Sequence, residues 1–202
     1  AQCLVGSEMC IRDRADFVIA AMSGNFVQRG EPALIDKYAR TEMALSCGAD
    51  LVIELPALWA TASAELFASA GVALMRKCGC VDTLCFGAET DNLSLLKEVA
   101  SLLVSEPEDY KEVLSSCLKK GMSYPAARSQ AVCSYLKKAN QQIPADELAC
   151  LLNEPNNILA IEYVKALYKL NSNIEPILIK RYESEHNDTV IHGEIASASA
   201  IR

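Results

Sequence analysis

The run DFVIAAM, Asp16–Met22, passing directly into Ser23-Gly24, decides the fold. It is apolar almost without interruption and stops at a small polar pair. A strand buried on both faces of a parallel sheet reads this way where it feeds a loop at the sheet edge. Working outward, the same pattern returns as LVIEL, Leu51–Leu55, closed by Pro56, and as DTLCF, Asp82–Phe86, followed by Gly87. It returns a last time as PILIK, Pro176–Lys180. Helical segments lie between. Asp36 can cap a helix running to Cys47, with Gly48 where a left-handed residue is wanted. Ala57–Lys77 is largely helical and ends near Gly79. Leu93–Ser105, Pro107–Lys120, Ala126–Ala139 and Pro155–Leu170 follow, with Gly121 ending the second of these. Three strand–helix alternations, a run of helices and one more strand predict an α/β fold: an open, mostly parallel sheet with a helical insertion.

Composition agrees and excludes other classes. The chain has 202 residues, a net charge of −7 and 51% hydrophobic residues, enough for a real core. With 22% charged residues and only 9 Gly and 7 Pro it is neither disordered nor fibrous. No apolar run approaches the roughly 20 residues of a membrane helix, so no membrane partner is expected. The acidic balance argues against a surface that grips nucleic acid everywhere, but leaves room for a local basic groove.

Nine cysteines invite a disulfide framework, yet their placement points elsewhere. Cys47, Cys85, Cys117, Cys133 and Cys150 stand singly in apolar stretches, where a reduced thiol serves as a small hydrophobe. Cys78 and Cys80 form C-x-C without the second pair that a zinc site needs. Core cysteines in a reducing, cytoplasmic setting are therefore expected, and no metal site.

The first fourteen residues, AQCLVGSEMCIRDR, carry neither a helical nor a strand period nor a signal peptide. VGSEMCIRDR, Val5–Arg14, resembles translated sequencing-adapter read-through. We read 1–14 as a non-native leader and 15–202 as one catalytic domain, incomplete at both ends.

Ligands of open parallel sheets bind at the carboxyl ends of the strands. Three segments follow strand ends. Ser23–Pro32 (SGNFVQRGEP) can bend at two glycines and present amides and Arg29 to an anion. Phe86-Gly87-Ala88-Glu89 offers a glycine against which a flat ring can lie. Ile179-Lys180-Arg181 leads through a polar loop to Ile195–Arg202 (IASASAIR). There Ser197 and Ser199 at a helix start, with Arg202 one turn on, make a phosphate seat. Each has a plain alternative, an N-cap or a simple turn; together they describe a nucleotide site at one sheet edge. Other groups carry less. His186 and His192 read as loop residues, and Glu183, Glu185, His186 and Asp188 lack ligand spacing. Glu54 inside a strand is either ion-paired or facing the cleft. Lys119-Lys120 and Lys137-Lys138 read as solvated helix ends.

SGNFVQRGEPALIDKYARTEMALSCGADLVIELP, Ser23–Pro56, closely resembles the bacterial tRNA(Met) cytidine acetate ligases, a family within the HIGH-type nucleotidyltransferase superfamily. The resemblance continues through FGAE (Phe86–Glu89), KKGMSYPAAR (Lys119–Arg128), EPNNILAIEY (Glu154–Tyr163) and IASASAIR (Ile195–Arg202). It implies a Rossmann-like nucleotidyltransferase sheet, ATP as substrate with Mg2+ as an optional companion, and acetate and elongator tRNA(Met) as partners. The implied reaction activates acetate as acetyl-adenylate, then acetylates N4 of the wobble cytidine. The family's ATP contacts carry over to Gly87, Asn156 and Arg181, and its phosphate-binding signature to Ser197, Ser199 and Arg202. Catalytic residues stay unassigned. The family's H-x-G-H loop has no counterpart here, because the two histidines are His186 and His192; weak ATP binding and no turnover are expected of this chain. Two other readings remain. One is a small-molecule adenylyltransferase of the same superfamily, which should lack the SG-x-F-x-QRGEP loop. The other is a non-catalytic RNA-binding module, which a strongly basic face would favour.

Overall fold

The computed structural model describes residues 15–28, 30–139 and 143–181. The 1–14 leader, Arg29, the His186 and His192 loop and its acidic neighbours, and Ser197, Ser199 and Arg202 all lie outside the described residues.

Four strands and eight helices are present among them. In chain order these are β1 (Ile19–Ser23), α1 (Lys37–Ser46), β2 (Leu51–Leu55), α2 (Ala57–Ala60), α3 (Ala64–Cys78) and β3 (Thr83–Ala88). Then come α4 (Leu93–Ser105), α5 (Glu108–Lys119), α6 (Tyr124–Ala139), α7 (Ala145–Asn153), α8 (Pro155–Lys169) and β4 (Glu175–Lys180). Among the described residues the four strands pair in parallel as expected, but β2 and β4 are only partly buried rather than covered on both faces. β1 pairs with β2, Ile19 opposite Leu51 and Ser23 opposite Leu55. β3 pairs with β4, Thr83 opposite Glu175 and Ala88 opposite Lys180. Adjacent parallel strands need a long crossover, and the β3–β4 crossover is the predicted insertion, α4 to α8. Among the described residues the strands form two hydrogen-bonded pairs, β1–β2 and β3–β4.

Packing of α8 sets the two pairs in the same sense. Toward its carboxyl end, Ala166 and Leu167 share a cluster with Val72 and Met75 of α3, Ile174 before β4, and Ile19 and Ala21 of β1. Nearer its amino end, Leu159 packs with Leu55, the last residue of β2, and with Phe67 of α3. The starts of the strands thus gather around one end of α8 and the finishes around the other. The largest cluster lies on its far side, where Ala160, Ile161 and Val164 meet Leu96 and Val99 of α4, Val132 and Leu136 of α6, and Leu148 and Leu151 of α7. A helix packed on more than one side loses the single apolar stripe of a surface helix.

Local chemistry explains most element ends. The Asp36 carboxylate accepts from the backbone N–H of Tyr38 and Ala39, capping α1 as expected. Gly79 ends α3 in the left-handed conformation, φ 71°. Other boundaries need correction. The helix expected over Ala57–Lys77 is broken, because Ser63 caps a new helix by accepting from Leu66 N. β3 continues through Gly87 to Ala88 rather than ending at Phe86, since its partner β4 runs on to Lys180. α7 was not anticipated; Leu148, Leu151 and Leu152 carry its helical spacing behind Pro144. Of the cysteines expected in the core, Cys117 is buried and Cys85 and Cys133 half-buried, whereas Cys47 and Cys150 are exposed. Cys47 is the C-cap residue of α1, and Cys150 lies in α7 with its sulfur 4.0 Å from Asn157 Nδ2.

Candidate functional site

The loop after β1 is built as its sequence asks. Gly30 takes φ 76° and donates to Val27 O, while Phe26 and Pro32 form an antiparallel bridge that closes the turn. Arg40 of α1 reaches back and donates through Nη2 to the carbonyls of Ser23 and Gly24, holding the loop on the strand end. Glu54 is ion-paired, the first of its two readings: it meets Lys37 at 2.7 Å, half-exposed, and its carboxylate presses on Gly24. A side chain at Gly24 would overlap that carboxylate, which gives this glycine its steric reason.

The ends of β3 and β4 bring three predicted residues together. Arg181 N donates to Ala88 O at 2.9 Å, extending the ladder beyond β4 and fixing where the guanidinium starts. The aliphatic stem of Arg181 then crosses Gly87, its Cγ 3.4 Å from where a Cβ would stand. Its Nη1 donates to Asn156 Oδ1 at 3.5 Å. Gly87, Asn156 and Arg181, distant in the chain, thus form one cluster at the carboxyl edge. Ser23 ends β1 at that same edge by the packing around α8. The face over Gly87 is partly covered by the Arg181 stem, so a ring stacked here meets the arginine as well as the backbone.

Glu89 and Asn157, which sequence reasoning did not single out, hold this cluster. Glu89 Oε1 accepts from Asn156 Nδ2 at 2.5 Å, and Oε2 accepts from Asn157 N at 2.8 Å. In return Asn157 Oδ1 accepts from Glu89 N at 2.9 Å and Thr90 N at 3.0 Å, and its Nδ2 donates to Cys150 O. Asn157 is completely buried. The exchange joins the turn after β3 to the start of α8. The first free N–H groups of α8 are therefore already met by a carboxylate, which offsets the positive end of the helix. Near it, burial, then Glu154 and Glu89, push the Cys150 thiol upward, so its thiolate is disfavoured.

A second charged group runs behind the site. Glu162 of α8, 2% exposed, lies 2.9 Å from Arg128 of α6 and 2.5 Å from Lys165. Lys165 also meets Glu65 of α3 at 3.1 Å, and Lys169 meets the same oxygen at 3.1 Å. Mainly the hydrogen bond from Lys169 holds the Glu65 carboxyl below its ordinary range. The Lys137-Lys138 end of α6 is solvated as expected, with Lys138 paired to Asp109. Among the described residues, no three His, Cys, Asp or Glu side chains converge as a metal group would require. No helix among them is long and apolar enough to cross a membrane.

Parallel strand pairs flanked by helices, with a cation and an amide gathered at a carboxyl edge, place this chain among the α/β folds that take ligands at that edge. Comparison with known proteins sharpens that class. The HIGH Nucleotidyl Transferase family model matches residues 9–202, and the chain belongs to that family. It is similar to the tRNA(Met) cytidine acetate ligase of Clostridium perfringens, 50% identical over 93% of this chain and 47% of that protein. The ligase of the same name from Acetivibrio thermocellus is also 50% identical, over 93% of this chain and 44% of its own. The crystal structure of apo Thermotoga maritima TmcAL superposes with a TM-score of 0.92 at 40% identity, covering 98% of this chain and 46% of that one. That of Thermotoga maritima TmcAL bound with alpha-thio ATP superposes at 0.84 with 39% identity, over 90% and 44%. The chain spans about half the length of the curated relatives it matches.

Proposed function

We propose that this chain is the nucleotide-handling part of an ATP-dependent ligase acting on elongator tRNA(Met), with Gly87, Asn156 and Arg181 as its ATP contacts. The carrying observation is the meeting of these three residues at the carboxyl edge, Arg181 Nη1 3.5 Å from Asn156 Oδ1. A relative of closely similar fold that binds an ATP analogue supports it. In the proposed reaction an acetate oxygen attacks the α-phosphorus of ATP, and the bond to the β-phosphate oxygen breaks, releasing pyrophosphate. The N4 amine of the wobble cytidine then attacks the acetyl carbonyl, loses a proton, and AMP leaves with the acyl–phosphate bonding pair.

Such an attack needs alignment and charge stabilisation more than a protein nucleophile. Arg181 supplies a cation where charge develops, and Asn156 holds a hydroxyl or amine of the nucleotide. Ser197, Ser199 and Arg202 belong to the proposal as a second phosphate-binding group. Mg2+ usually travels with phosphates rather than in a protein cage, and enters only in that role. A cytoplasmic location follows from the proposed tRNA substrate.

The test is nucleoside mass spectrometry of tRNA from a strain lacking the activity and complemented with an intact, full-length gene that carries this sequence. N4-acetylcytidine should return, and Arg181→Ala should lower acetate-dependent ATP–pyrophosphate exchange about a hundredfold, the usual loss for one such donor. Unchanged exchange in that variant refutes the role of Arg181. ATP-dependent adenylylation of a small molecule, without acetylcytidine, would favour the adenylyltransferase reading instead.

A further inference from the structure

We infer that Glu89 is a positioning residue that sets the polarity of Asn156: it forces the amide nitrogen inward and the amide oxygen outward, toward Arg181 and the nucleotide. The inference rests on the nucleotide reading above. An asparagine amide is two-sided, and either edge can face a ligand unless a fixed partner decides. Glu89 decides. Its Oε2 is committed to Asn157 N at 2.8 Å, and its Oε1 accepts from Asn156 Nδ2 at 2.5 Å and from Asn156 N at 3.4 Å. An ionised carboxylate only accepts, so it holds the donor edge of Asn156 toward itself. The acceptor edge is what remains for Arg181 Nη1 at 3.5 Å, and for a hydroxyl or amino group of the nucleotide.

The carboxylate itself is reciprocally fixed. Asn157 Oδ1 accepts from Glu89 N and Thr90 N, so the turn that carries Glu89 cannot shift without breaking bonds to a fully buried side chain. Glutamine cannot replace this arrangement. Asn157 N is a backbone donor and cannot turn over, so it claims the glutamine oxygen. The glutamine nitrogen then faces Asn156, whose amide must rotate to offer its oxygen. Its nitrogen would point at the Arg181 guanidinium, donor against donor.

The experiment is a double-mutant cycle on the 202-residue chain, with ATP titrated to 10 mM and read by NMR shifts, alongside the Asn156 side-chain amide signals. In the parent chain those amide protons should resonate at low field, exchange slowly and move with ATP. Glu89→Gln should weaken ATP binding about tenfold and return the Asn156 amide to ordinary shifts. Asn156→Ala should weaken binding at least as much, and the double variant should be no weaker than Asn156→Ala alone within about twofold. Losses that multiply in the double variant, or an ordinary Asn156 amide in the parent chain, overturn the positioning role while leaving the nucleotide reading standing. The amide signature is read without any variant, so a misfolded Glu89→Gln does not rescue the inference. No ATP-dependent shift in the parent chain, or none lost in Asn156→Ala, overturns the nucleotide reading instead.

Discussion

Asn157→Ala should be the most costly small substitution near the candidate site. Its side chain is completely buried and satisfies three backbone groups: Glu89 N at 2.9 Å, Thr90 N at 3.0 Å and Cys150 O at 3.3 Å. Truncation strands all three. A buried group without a partner costs about 1–3 kcal/mol. Glu89 and Thr90 are only half-buried, so water recovers part of this and the lower figure applies. Three groups at ~1 kcal/mol each come to about 3 kcal/mol. For a chain of this size that lowers Tm by roughly 6–12 °C. The neighbouring Asn156 is half-exposed, and among the described residues its amide bonds to the side chains of Glu89 and Arg181, so Asn156→Ala should cost less than about 1 kcal/mol. Urea unfolding followed by circular dichroism measures both, with an unchanged m value showing that the transition is comparable. If Asn157→Ala lies within about 1 kcal/mol of the parent chain, or the two variants cost the same, the joint between the β3 turn and α8 is not what these bonds indicate.

Glu162→Ala should destabilise by about 3 kcal/mol, the low end for breaking a buried ion pair, because Lys165 keeps Glu65 at 3.1 Å and Arg128 reaches solvent; a loss under about 1 kcal/mol in the same urea assay would refute the burial argument. Glu65 governs part of the acid limb. Its folded carboxyl lies below the ordinary 4.5, chiefly through Lys169, so its contribution is complete above that value and is lost as pH falls through the lower folded one. Glu65→Gln should therefore flatten the stability–pH curve below about pH 4.5 and leave its shape near neutrality alone; identical acid slopes in both proteins would count against it.

Much of this protein was legible in one dimension because the signals are local. The parallel strands were readable from DFVIAAM, LVIEL and PILIK, since a parallel-sheet strand reads as a continuous apolar run. α1 was readable from Asp36 through capping geometry that spans only three residues. Gly87, Asn156 and Arg181 could be named from the family resemblance, Gly87 and Arg181 also from their place beside strand ends. Their gathering at one edge was expected, but not their contacts, which depend on the crossover from β3 to β4 closing in the register that sets Gly87 opposite Ile179. Nor could the chain disclose that Glu89 commits both carboxylate oxygens to the start of α8, 67 and 68 residues on. Nothing in the sequence marks Glu162 and Lys165 as buried. Only the packing of α8 between α3, α4, α6 and α7 makes them buried, because a charge is costly by its surroundings and not by its identity. Local sequence decides what each segment is; tertiary packing alone decides which polar groups lose water, and so which must find one another.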